Sequence, residues 1–191
     1  VRTGAPAAPR YKVETVFIPP VWVKEHASQL NNHRATGTGE HDYALLRISG
    51  PVGTNVVPGS FSHLTPDIRA AIAFEGDRVL AAGYPAEFLG GAVAEIDLYP
   101  ASSYATIQQL LTFNGDTVDA LSLGGVIEAQ AGASGGPVTN AWARLVGIIT
   151  ATTDGATTAD RDLRAISLSY INEDIATQSG YALSDALSHA S

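Results

Sequence analysis

The sequence predicts an all-β fold with one helix at its C-terminal end. Short apolar segments alternate with clusters of Gly, Pro, Asn and Asp, a pattern typical of barrels and sandwiches. The 191 residues are 45% hydrophobic and 16% charged. Such a chain is too apolar for a disordered protein and long enough to bury a core. Helical periodicity enters only after Ser169.

In the first half of the chain, the sequence predicts two strands joined by a long loop. Side chains alternate between two faces over residues 11–18, and Pro19-Pro20 ends this strand because proline cannot donate to a strand ladder. Residues 24–41 are rich in His, Asn, Gly and Thr, which predicts a surface loop. The compact apolar run over residues 43–48 then predicts a buried strand.

The second half predicts a connector, several strands and a helix. Proline and glycine punctuate residues 51–77, which is typical of a segment that crosses between two halves of a protein. Beyond it, strands are predicted over residues 78–82, 94–99, 105–113, 145–152 and 164–169. Four apolar side chains of the terminal helical segment are expected to face the strands: Ile171, Ile175, Tyr181 and Leu183.

Composition excludes several classes of protein. The net charge is −8 and only 11 residues are basic, which argues against nucleic acid or an anionic membrane as a main partner. The chain has no cysteine, so disulfides, thiolate catalysis and cysteine-ligated zinc are all excluded. No apolar run approaches the roughly 20 residues of a membrane span, and the first residues lack the pattern of a signal peptide.

The most informative segment is Gly132-Ala133-Ser134-Gly135-Gly136-Pro137. A serine hydroxyl becomes a nucleophile when a base removes its proton and hydrogen-bond donors stabilise the oxyanion that forms. Glycines on both sides allow backbone amides to converge on one point and allow a substrate to approach closely. Taken alone, the same segment would be a glycine-rich β turn.

A second segment, His41-Asp42-Tyr43-Ala44-Leu45-Leu46, places a carboxylate at the entrance to an apolar strand. A buried aspartate is costly unless it is hydrogen-bonded, and orienting a histidine is one established use of such a residue. Asp42 and Ser134 are 92 residues apart. A third segment, Leu145-Val146-Gly147-Ile148-Ile149-Thr150, is an apolar strand that ends in a hydroxyl.

These three segments resemble, in order and spacing, those of the chymotrypsin-like (trypsin-like, S1) serine peptidases. In chymotrypsin the aspartate and the serine are roughly 93 residues apart. Gly83-Tyr84-Pro85 is similar to the bacterial glutamyl-endopeptidase, or V8-like, branch. The similarity covers most of residues 11–176. It implies two antiparallel six-stranded β-barrels with a catalytic cleft between them, the first barrel being incomplete here.

The resemblance also implies a division of the chain and a set of site residues. The implied divisions are 1–50 for the remainder of an N-terminal barrel, 51–77 for the connector, 78–170 for the C-terminal barrel and 171–191 for the helix and tail. Ser134 matches the nucleophile and Asp42 the residue that orients the histidine. The amides of Gly132 and Ser134 match the oxyanion hole.

Four further positions match substrate-binding residues of the family. Thr150 matches the hydroxyl residue that supports the buried aspartate and begins the substrate-pairing strand, while Ala151 and Thr152 would line the primary pocket. Glu128 falls where the family places the residue at the base of that pocket. An inward-pointing Glu128 would favour a Lys or Arg side chain in the substrate; the alternative is a solvated loop glutamate.

Two departures from the family pattern matter. Ala133 replaces the acidic residue that, in animal digestive members, pairs with a newly cut N-terminal amine, so that activation switch is not expected. The catalytic histidine is also missing, because the family places it about 45 residues before the aspartate, which falls upstream of Val1. The five histidines present lack the family motif: His26, His33 and His41 are predicted to be solvated loop residues, and His63 and His189 have no motif around them.

Three explanations for the missing histidine stay open. The chain is a truncated or cleaved form of a serine endopeptidase, a catalytically inactive homologue that acts as a binding or scaffold protein, or an enzyme with an unusual base such as His33. The first is the prediction, with protein or peptide as substrate and the histidine on an N-terminal segment or a second chain. No metal or organic cofactor is implied, and the resemblance implies a secreted or periplasmic protein.

Overall fold

The computed structural model describes residues 10–29, 38–54, 56, 61–87, 93, 96–113 and 115–188. These residues form two compact units. The serine unit runs from Leu64 to Tyr170 and contains Ser134. The aspartate unit combines the described residues up to His63 with those from Ile171 onward, and it contains Asp42.

The described residues are mostly β structure. Their strands are β1 (Tyr11–Phe17), β2 (Leu45–Pro51), β3 (Thr65–Pro66), β4 (Arg78–Gly83), β5 (Ala101–Thr106), β6 (Gln109–Leu111), β7 (Ala120–Ser122), β8 (Pro137–Thr139), β9 (Arg144–Thr152) and β10 (Leu163–Ser167). Their α-helices are α1 (Pro20–His26), α2 (Leu168–Ser179) and α3 (Leu183–Ser188), and two short 3₁₀ turns cover Ala27–Gln29 and Thr158–Asp160.

The serine unit is a curled antiparallel sheet. Its strand order is β5-β4-β8-β9-β10-β7-β6, and the short β3 pairs in parallel with β9. Side chains of the inner face form a continuous core, including Val79, Leu121, Val138, Val146, Ile149, Leu163 and Ile166. Burial falls at every second residue in β4, which is how a strand buries one face of a sheet. In β9 and β10 register shifts interrupt this alternation, and the buried Val146 and Ile149 are three residues apart.

The aspartate unit contains a two-stranded sheet. β1 and β2 pair antiparallel with Phe17 opposite Leu45 and Tyr11 opposite Pro51. The predicted burial of residues 43–48 is wrong beyond Tyr43, because Leu46 and Ile48 are 59% and 47% exposed. Within the described part of the chain, no third strand pairs with this sheet. Apolar side chains therefore stand in solvent on a sheet that the sequence alone suggests is covered.

The predicted surface loop over residues 24–41 is wrong at its start, where α1 forms. Proline suits the first position of a helix because its missing N–H has no intrahelical acceptor there, and Pro20 occupies that position. Lys24 and His26 lie in the last turn, where positive charge complements the helix dipole. Residues 30–37, including His33, lie outside the described residues.

The C-terminal helical prediction is confirmed, although the helix is divided in two. Gly180 adopts a φ of +78° between α2 and α3, a conformation that favours glycine and ends α2. Ile171, Ile175 and Leu183 are buried as expected, whereas Tyr181 is exposed. None of the helices in the described ranges has the length and apolar character needed to cross a membrane.

The strand predictions are confirmed at β4, β9 and most of β10, but the sequence predicts no strand at β7 or β8 of the same sheet. The run over residues 105–113 is divided between β5 and β6. The strand expected over residues 94–99 is wrong for its described residues, since the Asp97 amide donates to the Val93 carbonyl as in a helical turn. The predicted class, all-β with a C-terminal helix, is nevertheless confirmed.

Candidate functional site

Ser134 lies on a tight loop, residues 131–137, that leads into β8; this segment is called the serine loop. Backbone hydrogen bonds attach the loop to β9, because the Gly135 amide donates to the Ile149 carbonyl and the Ile149 amide donates to the Gly136 carbonyl, each at 2.8 Å. The Ser134 side chain is exposed, and its Oγ lies 3.3 Å from the Thr150 carbonyl oxygen. The hydroxyl is therefore presented to solvent from a loop with a fixed base.

Close packing explains two of the three glycines of the serine loop. A Cβ on Gly136 would lie 2.1 Å from the Ala82 carbonyl oxygen, and one on Gly132 would lie 2.5 Å from the Tyr84 carbonyl oxygen. Gly132 also has a φ of +99°, which side chains rarely allow. The backbone of Gly83 and Tyr84 thus presses directly against the serine loop, which gives the Gly83-Tyr84-Pro85 motif a structural role.

Two amides of the serine loop have no protein acceptor among the described residues. Within the described part of the chain, neither the Gly132 nor the Ser134 N–H donates a hydrogen bond to a protein acceptor, and both residues are exposed. The intervening Ala133 is buried, with its amide 3.4 Å from the Gln130 carbonyl oxygen. Unsatisfied amides beside an exposed nucleophile are able to stabilise negative charge as it develops.

Glu128 is a buried carboxylate six residues before Ser134. The residue is fully buried, so its alternative description as a solvated loop glutamate is wrong. One carboxylate oxygen accepts a hydrogen bond from Ser103 Oγ of β5, and Oε1 has no partner among the described residues. An unpaired buried oxygen is costly, and a cationic group would relieve that cost.

The predicted substrate-binding residues Thr150, Ala151 and Thr152 form the end of β9. Their strand pairs with β10 on one side, where Ala151 lies opposite Arg164. On the other side the pairing with β8 ends at Ile148. An extended peptide can add to a strand edge of this kind through main-chain hydrogen bonds.

Asp42 is in the aspartate unit and is exposed, so the expectation of a buried aspartate is wrong. Its carboxyl group is nevertheless partly shielded from water. This desolvation raises the pKa of Asp42, and the nearby charge of His26 partly offsets the rise. Asp42 therefore has an environment that makes its charged form less favourable than in water.

His41 is not the solvated loop residue that the sequence predicts. Its side chain is 15% exposed and Nδ1 lies 3.0 Å from Oδ2 of the buried Asp174 on α2. The Tyr43 hydroxyl donates to the same carboxylate oxygen at 2.9 Å. Because His41 adopts a φ of +61°, this pairing stabilises an uncommon backbone conformation directly before Asp42.

The other described histidines have local partners. The His26 ring lies against Trp22 with 6.0 Å between ring centroids, and His63 Nδ1 lies 3.3 Å from the Phe61 carbonyl oxygen. His33 and His189 lie outside the described residues. Sequence reasoning missed Asp174, which is 133 positions from His41, because no local pattern reports a pairing over that distance.

Comparison with known proteins gives one family. A family model described as "Trypsin-like peptidase domain" matches residues 4–148, and no curated protein matches the chain. The MamO protease domain from Magnetospirillum magneticum (apo form) is 22% identical with a TM-score of 0.43, covering 72% of this chain and 63% of that chain. The chain thus spans less than two thirds of the MamO chain.

Two further solved structures share the fold. A Glu endopeptidase in complex with MPD is 13% identical with a TM-score of 0.51, covering 94% of this chain and 73% of that chain. Kallikrein-related peptidase 10 is 19% identical with a TM-score of 0.51, covering 87% of this chain and 73% of that chain. At these identities the likeness establishes the chymotrypsin-like fold alone.

Replacement of Gly132 by alanine is expected to distort the serine loop more than the same change at Gly135. Both glycines have positive φ, but only Gly132 has an atom, the Tyr84 carbonyl oxygen, within 4 Å of the added Cβ. Gly135→Ala should cost about 1–2 kcal/mol of unfolding free energy for its backbone conformation, and Gly132→Ala about twice as much. Urea denaturation measures both, and equal costs would contradict the close approach.

Replacement of Asp42 by asparagine is expected to change stability in a pH-dependent way. The raised pKa means that Asp42 favours folding at low pH and that this contribution is lost as pH rises through its folded-state pKa. Asp42→Asn should therefore raise the urea midpoint at pH 7 relative to the unsubstituted protein, with no gain near about pH 3. Asp67→Asn is the control of opposite sign, because Arg69 lowers the pKa of Asp67; a lower midpoint for Asp42→Asn at pH 7 would contradict the assignment.

Proposed function

Because this chain belongs to the trypsin-like peptidase domain family, we propose that it is a serine endopeptidase in which Ser134 is the nucleophile. The observation that carries the proposal is the serine loop itself. The exposed Ser134 hydroxyl donates to the Thr150 carbonyl of β9, and the Gly132 and Ser134 amides of the same loop have no acceptor within the described residues. Because Gly132 and Ser134 are exposed, their N–H groups are available to a bound substrate, as an oxyanion hole requires.

The proposed reaction is peptide-bond hydrolysis through an acyl-enzyme. Ser134 Oγ attacks the carbonyl carbon while a base takes its proton, and the Gly132 and Ser134 amides hold the oxyanion. Collapse of the intermediate breaks the C–N bond, and the base returns the proton to the departing amine. Water then repeats the sequence on the ester and regenerates the Ser134 hydroxyl.

We further propose that the base is a histidine outside these 191 residues, on an N-terminal segment or a second chain, and that Asp42 orients it. His41 is already engaged by Asp174, which supports a base from elsewhere. The β1–β2 sheet also exposes Val13, Val16 and Leu46, side chains that additional β structure would cover. Export from the cytoplasm belongs to the same proposal through the family resemblance alone.

The proposed substrate preference is a Lys or Arg side chain before the scissile bond. Glu128 supports it, because its buried Oε1 has no hydrogen-bond partner within the described part of the chain and would gain a cationic one. The same carboxylate would repel an acidic side chain. The proposed relation to the glutamyl-endopeptidase branch therefore concerns the Gly83-Tyr84-Pro85 segment, which packs on the serine loop, and does not extend to specificity.

Labelling with a fluorophosphonate tests the nucleophile. In the full-length gene product Ser134 should be modified, and Ser134→Ala should abolish the modification, as mass spectrometry of the labelled peptide will show. The 191-residue chain alone should react slower by about three orders of magnitude or more, since loss of the base removes most of the rate. A folded full-length product with no labelling at Ser134 would instead identify a non-catalytic homologue that acts by binding.

The substrate preference is tested by Glu128→Gln in the active full-length protein. We expect kcat/KM to fall about a hundredfold for substrates with Lys or Arg before the cleaved bond, since a buried charge pair is lost. Matched substrates with a neutral side chain there should change little. Glu75→Gln, on an exposed turn, is the control variant, and an equal loss on all substrates would contradict the specificity role of Glu128.

A further inference from the structure

The structure assigns a positioning role to Glu87 and Arg161: their ion pair holds the backbone just before Gly132 in place. We call this pair, with the main-chain groups that it binds, the Glu87–Arg161 clasp. The functional meaning of the clasp rests on the proposed function, because it would position the oxyanion-hole amides. Its geometry belongs to the serine unit and is independent of any reaction.

The ion pair is two-pronged. Arg161 Nη1 lies 2.6 Å from Glu87 Oε2, and Nη2 lies 2.9 Å from Oε1. The arginine side chain is only 13% exposed and that of Glu87 is 31% exposed. Two parallel charge-assisted hydrogen bonds fix the relative orientation of the two groups, in contrast to a single contact between flexible side chains.

The guanidinium also binds two main-chain carbonyls. Nη1 donates to the Ala129 carbonyl oxygen at 3.0 Å and Nε donates to the Gly155 carbonyl oxygen at 3.3 Å. Arg161 therefore joins the segment after Glu128 to the segment after β9. A lysine has a single ammonium group and lacks the planar fork that these four contacts use.

Glu87 extends the clasp to the serine loop. Its Oε2 accepts a hydrogen bond from the Ala131 amide at 3.2 Å, and the Ala86 amide donates to the Ala131 carbonyl oxygen at 2.9 Å. Ala131 is thus held at both its N–H and its C=O. The next residue is Gly132, so the peptide that carries one of the two free amides begins at a fixed point.

A preformed turn presents Arg161. Thr157 and Asp160 form a capping box, with the Asp160 carboxylate accepting from the Thr157 amide at 3.1 Å and from its hydroxyl at 2.8 Å. This turn packs so closely on Gly125 that a Cβ there would lie 2.5 Å from the Thr158 and Ala159 carbonyl oxygens. The arginine therefore starts from a rigid base, which reduces the entropy lost when its fork binds.

Electrostatics keep the clasp charged at neutral pH. The guanidinium of Arg161, followed by the Ala131 amide, lowers the pKa of Glu87. Glu87, and to a smaller extent Asp154, raises the pKa of Arg161. A lowered carboxylate pKa contributes stability above the unfolded-state value and loses it as pH falls through the folded-state value. The pairing is therefore present throughout the neutral range.

The clasp adds a side-chain constraint to the backbone contacts that hold the serine loop. Ala133 has no carboxylate to anchor the serine loop, and the chain has no cysteine to tie its segments covalently. Donors that stabilise an oxyanion act best when they are fixed before charge develops. The hydrogen bonds of the Glu87–Arg161 ion pair therefore take the place of a carboxylate or disulfide anchor at the serine loop.

The clasp is tested first by hydrogen exchange on the 191-residue chain. In Arg161→Gln, amides of the peptide spanning residues 126–136 should exchange at least about fivefold faster than in the unsubstituted protein. Arg164→Gln is the matched control, because Arg164 is a more exposed arginine nearby with one bond to Asp162. In this control the amides of residues 126–136 should exchange at the rate of the unsubstituted protein. Arg161→Lys, which keeps the charge and loses the fork, is the second variant and should also exchange faster.

The second measurement uses the full-length peptidase. Arg161→Gln should lower kcat about tenfold to a hundredfold with little change in KM, because the amides act on the transition state, whereas Arg164→Gln should keep both values. Unchanged exchange in both Arg161 variants would overturn the clasp, as would faster exchange with an unaltered kcat. If the full-length protein has no peptidase activity, the proposed function fails and the exchange result alone decides the clasp.

Discussion

The close approach of two backbone segments is the constraint on which the candidate site depends. Residues 82–84 lie directly against the serine loop: the Tyr84 carbonyl leaves no room for a side chain on Gly132, and the Ala82 carbonyl leaves none on Gly136. This contact holds the backbone at Gly132 and at Gly136, on either side of Ser134. Gly132 is required both by the lack of space for a side chain and by its positive φ, so the serine motif reflects backbone packing as well as chemistry.

Carboxylates of the chain differ in how completely they are hydrogen-bonded, and the difference separates structural from functional roles. Asp174 receives Tyr43 and His41 in the aspartate unit, and Glu87 receives Arg161 and a backbone amide in the serine unit. The carboxylates of Asp174 and Glu87 thus have hydrogen-bond partners of their own, as expected for structural residues. Glu128 keeps one buried oxygen without a partner. A group that remains unsatisfied after folding is a better candidate for recognition of a ligand than one already paired.

Sequence patterns predicted the parts of the structure that depend on local chemistry. The strands β4, β9 and β10, the end of β1 before the two prolines and the burial of Ile171 and Ile175 follow from apolar patterning, proline and helical periodicity. The short strands β7 and β8 have no such pattern and escaped prediction. The tight loop at Ser134 follows from its glycines. Exposure was predicted poorly, since Leu46 and Ile48 have apolar neighbours in sequence but no cover within the described residues. Periodicity reports which side chains share a face and does not report what lies against it.

Pairings between distant residues escaped prediction for a different reason. His41 and Asp174, or Glu87 and Arg161, are ordinary polar residues in sequence, and only the folded backbone brings them together. The two pairings have the same physical form: a carboxylate fixes a segment that directly precedes a candidate catalytic group. His41 precedes Asp42, and Ala131 precedes Gly132. In both cases the residue that carries the chemistry is left exposed, while its neighbour is anchored. In this arrangement the carboxylate that stabilises the backbone binds the neighbouring residue, so the candidate catalytic group itself stays available to a substrate.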